Sequence, residues 1–278
     1  MRYFSAFTGV GGFELGMPKT WKCVGFSEID KYASQVLKYR FPQIKNYGDI
    51  TKIVAEKFPE FDLIVGGFPC QSFSIAGKRG GFKDTRGTLF FDLARIVKEK
   101  KPSYLLLENV KGLINHNKGN TFATIISTID ELGYDCQWCV LNGKDFGVPQ
   151  NRERVFIVGH IRGIPRPKVF SFGKHSEETI GKAKKQGKYV SNTLRTNYSN
   201  GRSSETYILK ELTNGMKIRR LIPIECERLM SWPDNWTKWG INEKGEKVEM
   251  SDTQRYKMCG NGVISNIIIE ITRELGKL

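Results

Sequence analysis

"RYFSAFTGVGGFELG", residues 2–16, joins two kinds of periodicity across a glycine-rich turn. "RYFSAF" predicts a strand, and "TGVGG" a tight turn that opens a helix. A nucleotide-type ligand approaches such a turn closely, because glycine has no Cβ and the first helical N–H groups point at the ligand. A dinucleotide fingerprint needs a third glycine three places after the second. Gly9 and Gly11 fit, but that place is Glu14, which disfavours hydride chemistry on a nicotinamide cofactor. Glu28 lies about 20 residues on, at the end of the next strand, where an acid can bond ribose hydroxyls. Together with Asp49 of "YGDI", the turn favours an adenosyl ligand over a plain strand–helix connection.

The same alternation runs through most of the chain. "KCVGFSEI", "FDLIVGG", "SYLLLENV", "YDCQWCVLN" and "RVFIVGHI" predict strands. "DKYASQVLKYRF", "GTLFFDLARIVKEKK" and "NTFATIISTIDELG" have helical spacing between them. The predicted class is α/β, a doubly wound and mostly parallel sheet with helices on both faces. Near residue 161 the pattern gives way to a polar, basic segment rich in Gly and Pro. Helical signal returns in "IPIECERLM" and closes with "GVISNIIIEITREL". The predicted organisation is a catalytic and cofactor-binding domain over 1–161, a small inserted domain over 162–220, and a return to the first domain over 221–278.

The charge is lopsided: 44 Lys and Arg against 29 Asp and Glu leave +15 on 278 residues. Residues 161–220 hold 14 of the basic residues and four of the acidic ones, so most of the surplus is local. Such a concentration favours a nucleic-acid face over a diffuse solubility charge. Six cysteines stand at 23, 70, 136, 139, 226 and 259. Without a signal-peptide pattern or a long apolar run, the chain is expected to be cytoplasmic, off the membrane, with reduced thiols.

Three groups carry chemistry. Cys70 of "GGFPCQSFS" follows Pro69 at the end of an apolar strand and precedes a glycine-rich loop with Lys78, Arg79 and Lys83. A lone cysteine is commonly an apolar filler, but Pro69 and the loop argue against simple burial. Glu108 ends another apolar strand, where a carboxyl is costly unless partnered or used. A cap or salt bridge would serve as well as catalysis. "QNRER" places Arg152 and Arg154 on one side of a third strand. "CQWC" has metal spacing, but strand geometry points its cysteines to opposite faces, and the three histidines are scattered, so no metal is expected.

In this order and spacing the motifs resemble those of the cytosine-C5 DNA methyltransferases, over nearly the whole chain. "FTGVGG", "GGFPCQSFS", "LLLENV" and "QNRERVFIVG" are similar to four family motifs, and "RRLIPIECERLMSWPD" and "CGNGVISNI" to the two closing ones. The resemblance implies a Rossmann-like methyltransferase with an inserted target-recognition domain, using S-adenosylmethionine and releasing S-adenosylhomocysteine. It assigns Cys70 as the nucleophile on cytosine C6, Glu108 to N3 and the exocyclic amine, and Arg154 to O2, with Arg152 beside it. It carries over Phe7, Gly9, Val10, Gly11, Glu28, Ile29, Asp49, Ile50, Pro69, Leu89 and Asn261 as cofactor contacts.

The resemblance also implies double-stranded DNA as substrate, contacted by Gln71, Ser74, Lys78 and Arg79 of the catalytic loop. Thr193 and Leu194 resemble the recognition loop, Arg195 beside them is a candidate to read guanine and Gln186 to fill the space of a flipped base, with phosphate contact or simple solvation the alternative for each. Ala76 and the short recognition region depart from the family pattern. A monomer is expected, alongside a restriction endonuclease that acts on the same sequence without contact. Two other readings are a transfer-RNA methyltransferase, whose Cys-Phe-Thr tripeptide is missing from this chain, and a DNA-binding protein without catalysis, against which Cys70, Glu108 and Arg154 speak.

Overall fold

The computed structural model describes residues 1–69, 89–165, 169–170, 191–192, 207–212 and 215–277, with backbone alone for 191–192, 207–212 and 215–218. Cys70, Gln71, Ser74, Ala76, Lys78, Arg79, Gln186, Thr193, Leu194 and Arg195 lie outside the described residues.

The strands are β1 (Arg2–Ala6), β2 (Lys22–Ser27), β3 (Leu63–Gly67), β4 (Tyr104–Val110), β5 (Tyr134–Asn142), β6 (Gln150–Asn151) and β7 (Glu153–Ile161). After them come β8 (Ser191–Asn192), β9 (Tyr207–Leu212), β10 (Gly215–Arg220), β11 (Trp239–Ile241) and β12 (Lys247–Glu249). The helices are α1 (Gly12–Gly16), α2 (Lys31–Arg40), α3 (Leu89–Lys100), α4 (Asn120–Glu131), α5 (Pro223–Leu229), α6 (Asp252–Asn261) and α7 (Ser265–Leu275).

Six strands form one sheet in the order β2-β1-β3-β4-β7-β5. β1, β2, β3 and β4 are parallel, while β7 runs antiparallel to both neighbours. The reversal follows from chain length. A parallel crossover needs a dozen or more residues, and only residues 143–152 separate β5 from β7.

Successive side chains on a strand face opposite ways, and the core divides accordingly. Leu63, Val65, Leu106, Phe156 and Val158 belong to one buried cluster, packed with α1, α2, α5, α6 and α7. Phe4, Ile64, Leu105, Leu107, Val155 and Ile157 belong to the other, packed with α3 and α4. Helices on both faces make the sheet doubly wound, as the alternation predicts. Cys136 packs with the second cluster and Cys139 with the first, so the two thiols of "CQWC" are on opposite faces.

The closing segment is sewn onto the first turn of the chain. A Cβ on Gly16 would come 2.5 Å from Ile268 Cβ and 2.7 Å from the Ser265 carbonyl, so glycine lets α1 lie against α7. The Ser265 hydroxyl donates to Gly12 O at 2.8 Å, and the Trp236 indole donates to Val10 O at 2.8 Å. β6 pairs in parallel with β8, and β9 and β10 form an antiparallel pair that leads into α5. Arg219 makes a fork to Glu225, with contacts of 2.8 and 2.7 Å, where β10 gives way to that helix.

Glu14 is half-buried, but its carboxyl oxygens are shielded from solvent and face Ser5 and Tyr3 of β1 and Cys23 of β2. Neither of its carboxyl oxygens accepts a hydrogen bond of normal geometry among the described residues. Burial pushes its pKa from 4.5 up to about 7, against a smaller opposing pull from the Ser5 hydroxyl. A raised carboxyl binds its proton more tightly in the folded state. Stability is therefore greatest below the unfolded value and falls as pH rises through the folded one. The cost of the buried charge at pH 8 is on the order of 3 kcal/mol. Glu14→Gln removes this titration. In urea denaturation it should gain on the parent by about that much between pH 5 and pH 8, and an unchanged difference would show that Glu14 ionises in the folded chain as readily as in the unfolded one.

Candidate active site

The carboxyl ends of β1, β3 and β4 open onto a cavity of about 630 Å³. In open α/β sheets this crevice is where ligands bind. Phe7, Gly9, Val10, Glu28, Ile29, Asp49, Ile50, Pro69, Leu89 and Asn261 all line it, and so do Glu108, Arg152 and Arg154. Gly11, also picked from the sequence, is not among the lining residues. It is the N-cap of α1 with φ 89°, and a Cβ there would come 2.7 Å from the Phe41 ring.

One end of the cavity is acidic. Glu28 follows β2, and its carboxylate accepts from Gly9 N and from Asp30 N, both at 2.7 Å. Burial raises its pKa, while those two N–H groups oppose the shift. Asn46 accepts from Glu28 N at 3.1 Å and donates to Glu28 O at 3.0 Å, which fixes the strip. Asp49 accepts from Thr51 N and from its hydroxyl, and the Thr51 hydroxyl leads in holding it below the usual carboxylate range. Phe7 sits at φ 53°, a left-handed conformation uncommon for a bulky residue. Strain of this kind costs roughly 1–3 kcal/mol and gathers at functional sites.

The other end holds a carboxylate between two guanidinium groups. The antiparallel register sets Glu108 opposite Phe156 and Val110 opposite Arg154, making Glu108 and Arg154 diagonal neighbours on one face. Arg154 Nε lies 3.0 Å from Glu108 Oε1, and both side chains are largely buried. Burial raises the Glu108 carboxyl despite the two arginines. That favours a carboxyl able to donate a proton as well as to accept one. Arg152 is buried and donates to Gly260 O at 2.9 Å and to Gly262 O at 2.6 Å. Burial, then repulsion from Arg154, lower it to about 9, so it keeps its charge at neutral pH. Asn109, buried beside Glu108, donates to Phe68 O at 2.8 Å and so fixes the chain just before Pro69.

Six cavity residues escape the sequence motifs: Ser27, Asp30, Ala33, Gln254, Lys257 and Met258. Three of them lie on α6, whose polar face offers little hydrophobic period. A signal was present, because Ser251 and Gln254 have capping-box spacing, and Ser251 Oγ accepts from Gln254 N at 3.5 Å.

The sheet and its crevice define a Rossmann-like α/β fold. The family model described as "C-5 cytosine-specific DNA methylase" matches residues 1–215 and 166–277. The Type II methyltransferase M.HhaI of Haemophilus parahaemolyticus is 34% identical over 99% of this chain and 94% of its own length. The Type II methyltransferase M1.ScrFI of Lactococcus lactis subsp. cremoris is 39% identical over 97% of this chain and 76% of its own. The solved Dnmt2 methyltransferase of S. pombe shares the fold at a TM-score of 0.75, with 16% identity over 100% of this chain and 99% of that one. The chain belongs to the C-5 cytosine-specific DNA methylases and is a DNA (cytosine-5-)-methyltransferase. No helix among the described residues is long and apolar enough to cross a membrane.

Arg152→Met tests how far the site depends on one buried charge. The variant leaves the carbonyls of Gly260 and Gly262 without this donor, at about 1–3 kcal/mol each. Urea denaturation should show a loss of roughly 2–5 kcal/mol, with faster amide exchange around residues 260–263. A loss below about 0.5 kcal/mol would mean that water replaces the guanidinium.

Proposed function

We propose that the enzyme transfers a methyl group from S-adenosylmethionine to C5 of a flipped-out cytosine, within a short specific sequence of double-stranded DNA, through a covalent Cys70–C6 intermediate. One observation carries this reading. The Glu108–Arg154 pair and Arg152 line the same cavity as Glu28 and Asp49, together with Pro69, which Cys70 follows in sequence.

The cavity suits an adenosyl group. Glu28 and Asp49 offer acceptors for hydroxyl and amino groups, and Ile29, Ile50 and Leu89 offer apolar walls. A Cβ on Gly9 would find nothing within 4 Å, leaving its backbone open to the cavity. When bound, S-adenosylmethionine supplies an electrophilic methyl group.

Cytosine C5 is a weak nucleophile. Addition of the Cys70 thiolate to C6 makes C5 enamine-like and able to take the methyl. Glu108 meets N3 and the exocyclic amine, stabilising the charge that develops during addition. Arg154 donates to O2, with its guanidinium already oriented by Glu108. Loss of the C5 proton and expulsion of the Cys70 thiolate then restore the ring. A base inside a stacked duplex cannot reach these groups, so it is flipped out.

In this reading residues 162–220 form the target-recognition domain, and their basic surplus meets phosphates. The catalytic loop contributes Gln71, Ser74, Lys78 and Arg79. Thr193, Leu194 and Arg195 read sequence, and Gln186 fills the vacated space. The enzyme acts as a monomer, and a restriction endonuclease of the same specificity is its functional counterpart. The names of the Type II relatives support that pairing.

Two experiments test the reading. DNA carrying 5-fluorocytosine at the target should trap the enzyme when S-adenosylmethionine is present. Fluorine takes the place of the C5 proton and cannot leave as a cation, so the adduct persists through denaturing electrophoresis. Cys70→Ser should not trap efficiently, because a hydroxyl is far less ionised than a thiol near neutral pH. An adduct that maps to another cysteine would overturn the assignment. Separately, Glu28→Ala should weaken S-adenosylmethionine binding roughly ten- to a hundredfold by calorimetry, with a smaller effect on DNA affinity. Equal cofactor affinity would remove Glu28 from the site.

A further inference from the structure

One charge pair in the cavity closes on itself. Lys257 Nζ lies 2.6 Å from Asp30 Oδ2, joining positions 227 apart in the chain. Both residues line the cavity, yet the Lys257 side chain is 45% exposed and that of Asp30 31%, so the pair sits at its rim. Asp30 begins α2, directly after Glu28 and Ile29. Lys257 is on α6, next to Met258 and one turn before Asn261.

A half-exposed pair of this kind contributes at most about 1 kcal/mol to stability. Nor does α2 need it. Asp30 Oδ1 already caps that helix, accepting from Tyr32 N and Ala33 N at 3.0 Å each. Lys257 takes the other oxygen. What the pair adds is a tie between two walls of one cavity that come from opposite ends of the chain. Ile29, between Glu28 and Asp30, is an apolar side chain left 73% exposed at the cavity wall. The Asp30 N–H also holds the Glu28 carboxylate, at 2.7 Å. Any shift of Asp30 is therefore passed to both neighbours.

We propose that the Asp30–Lys257 ion pair is a strap across the rim of the cavity, which keeps Glu28 and Ile29 in place against the bound cofactor and slows its escape. Lys257 is then a positioning residue. The inference rests on the cofactor reading above.

S-adenosylmethionine affinity by calorimetry, its dissociation rate, its KM and turnover at saturation are to be measured on the whole chain. Lys257→Met removes the charge and keeps most of the stem. Asp30→Asn removes the charge and keeps the cap, since Asn caps about as well as Asp. Each should raise the cofactor Kd and dissociation rate about fivefold, matching a pair of roughly 1 kcal/mol. Turnover at saturation should stay within about twofold, the double variant should be no worse than either single one, and Lys257→Arg should restore most of the affinity. Unchanged Kd and dissociation rate in Lys257→Met, while the parent binds, would reject the strap alone. An equal loss in turnover that Lys257→Arg does not repair would also reject it, as a merely structural effect. A parent chain that binds no S-adenosylmethionine would overturn the cofactor reading, and the strap with it.

Discussion

Arg152 puts a full positive charge where almost no water reaches, and the rest of the site is arranged around that constraint. A buried guanidinium is tolerable only when its donors are met and its charge is balanced. The carbonyls of Gly260 and Gly262 both accept from its Nη2, and Glu108 offsets the charge. Those carbonyls end α6, so the demand of one side chain fastens the returning C-terminal segment to the cavity floor. Gln150, two residues earlier and also buried, donates to Leu229 O at 2.8 Å and fastens α5 in the same way. The short stretch before β7 is thus a splice between distant parts of the chain.

The second consequence is electrostatic. Two guanidinium groups flank Glu108, while the opposite end of the cavity carries Glu28, Asp30 and Asp49. The Glu108 carboxyl feels both the cost of burial and the pull of two cations, and burial wins. At the acidic end the carboxylates are held by backbone N–H groups and threonine, so they stay fixed when a ligand's hydroxyls or amine replace water. Preorganisation of this kind lowers the reorganisation cost of binding.

Much of this was readable from local pattern. Period-two strands, glycine turns and amphipathic helices reflect which side of an element meets the core. The α/β class, both helical layers and the strands bearing Glu108 and Arg154 could therefore be read along the chain. The opposite facing of Cys136 and Cys139 follows from pleat geometry alone. α6 escaped because its ligand-facing stripe is polar, and only Met258 and Cys259 represent it among the buried apolar residues. A helix that serves a polar cavity gives up the periodicity by which helices are recognised.

By itself, then, the amino-acid sequence determined the class of fold, the family, and which residue types could act. Each of these depends on neighbours a few positions apart. The tertiary structure alone decided which residues meet. The diagonal contact of Glu108 with Arg154 needs the antiparallel register of β4 and β7, and that register is a property of two strands. The seat of Arg152 needs two carbonyls more than a hundred residues downstream. The tie from Asp30 to Lys257 spans nearly the whole chain. Such contacts leave no periodic trace, because they are fixed by the packing of separate elements and not by the spacing of residues within one.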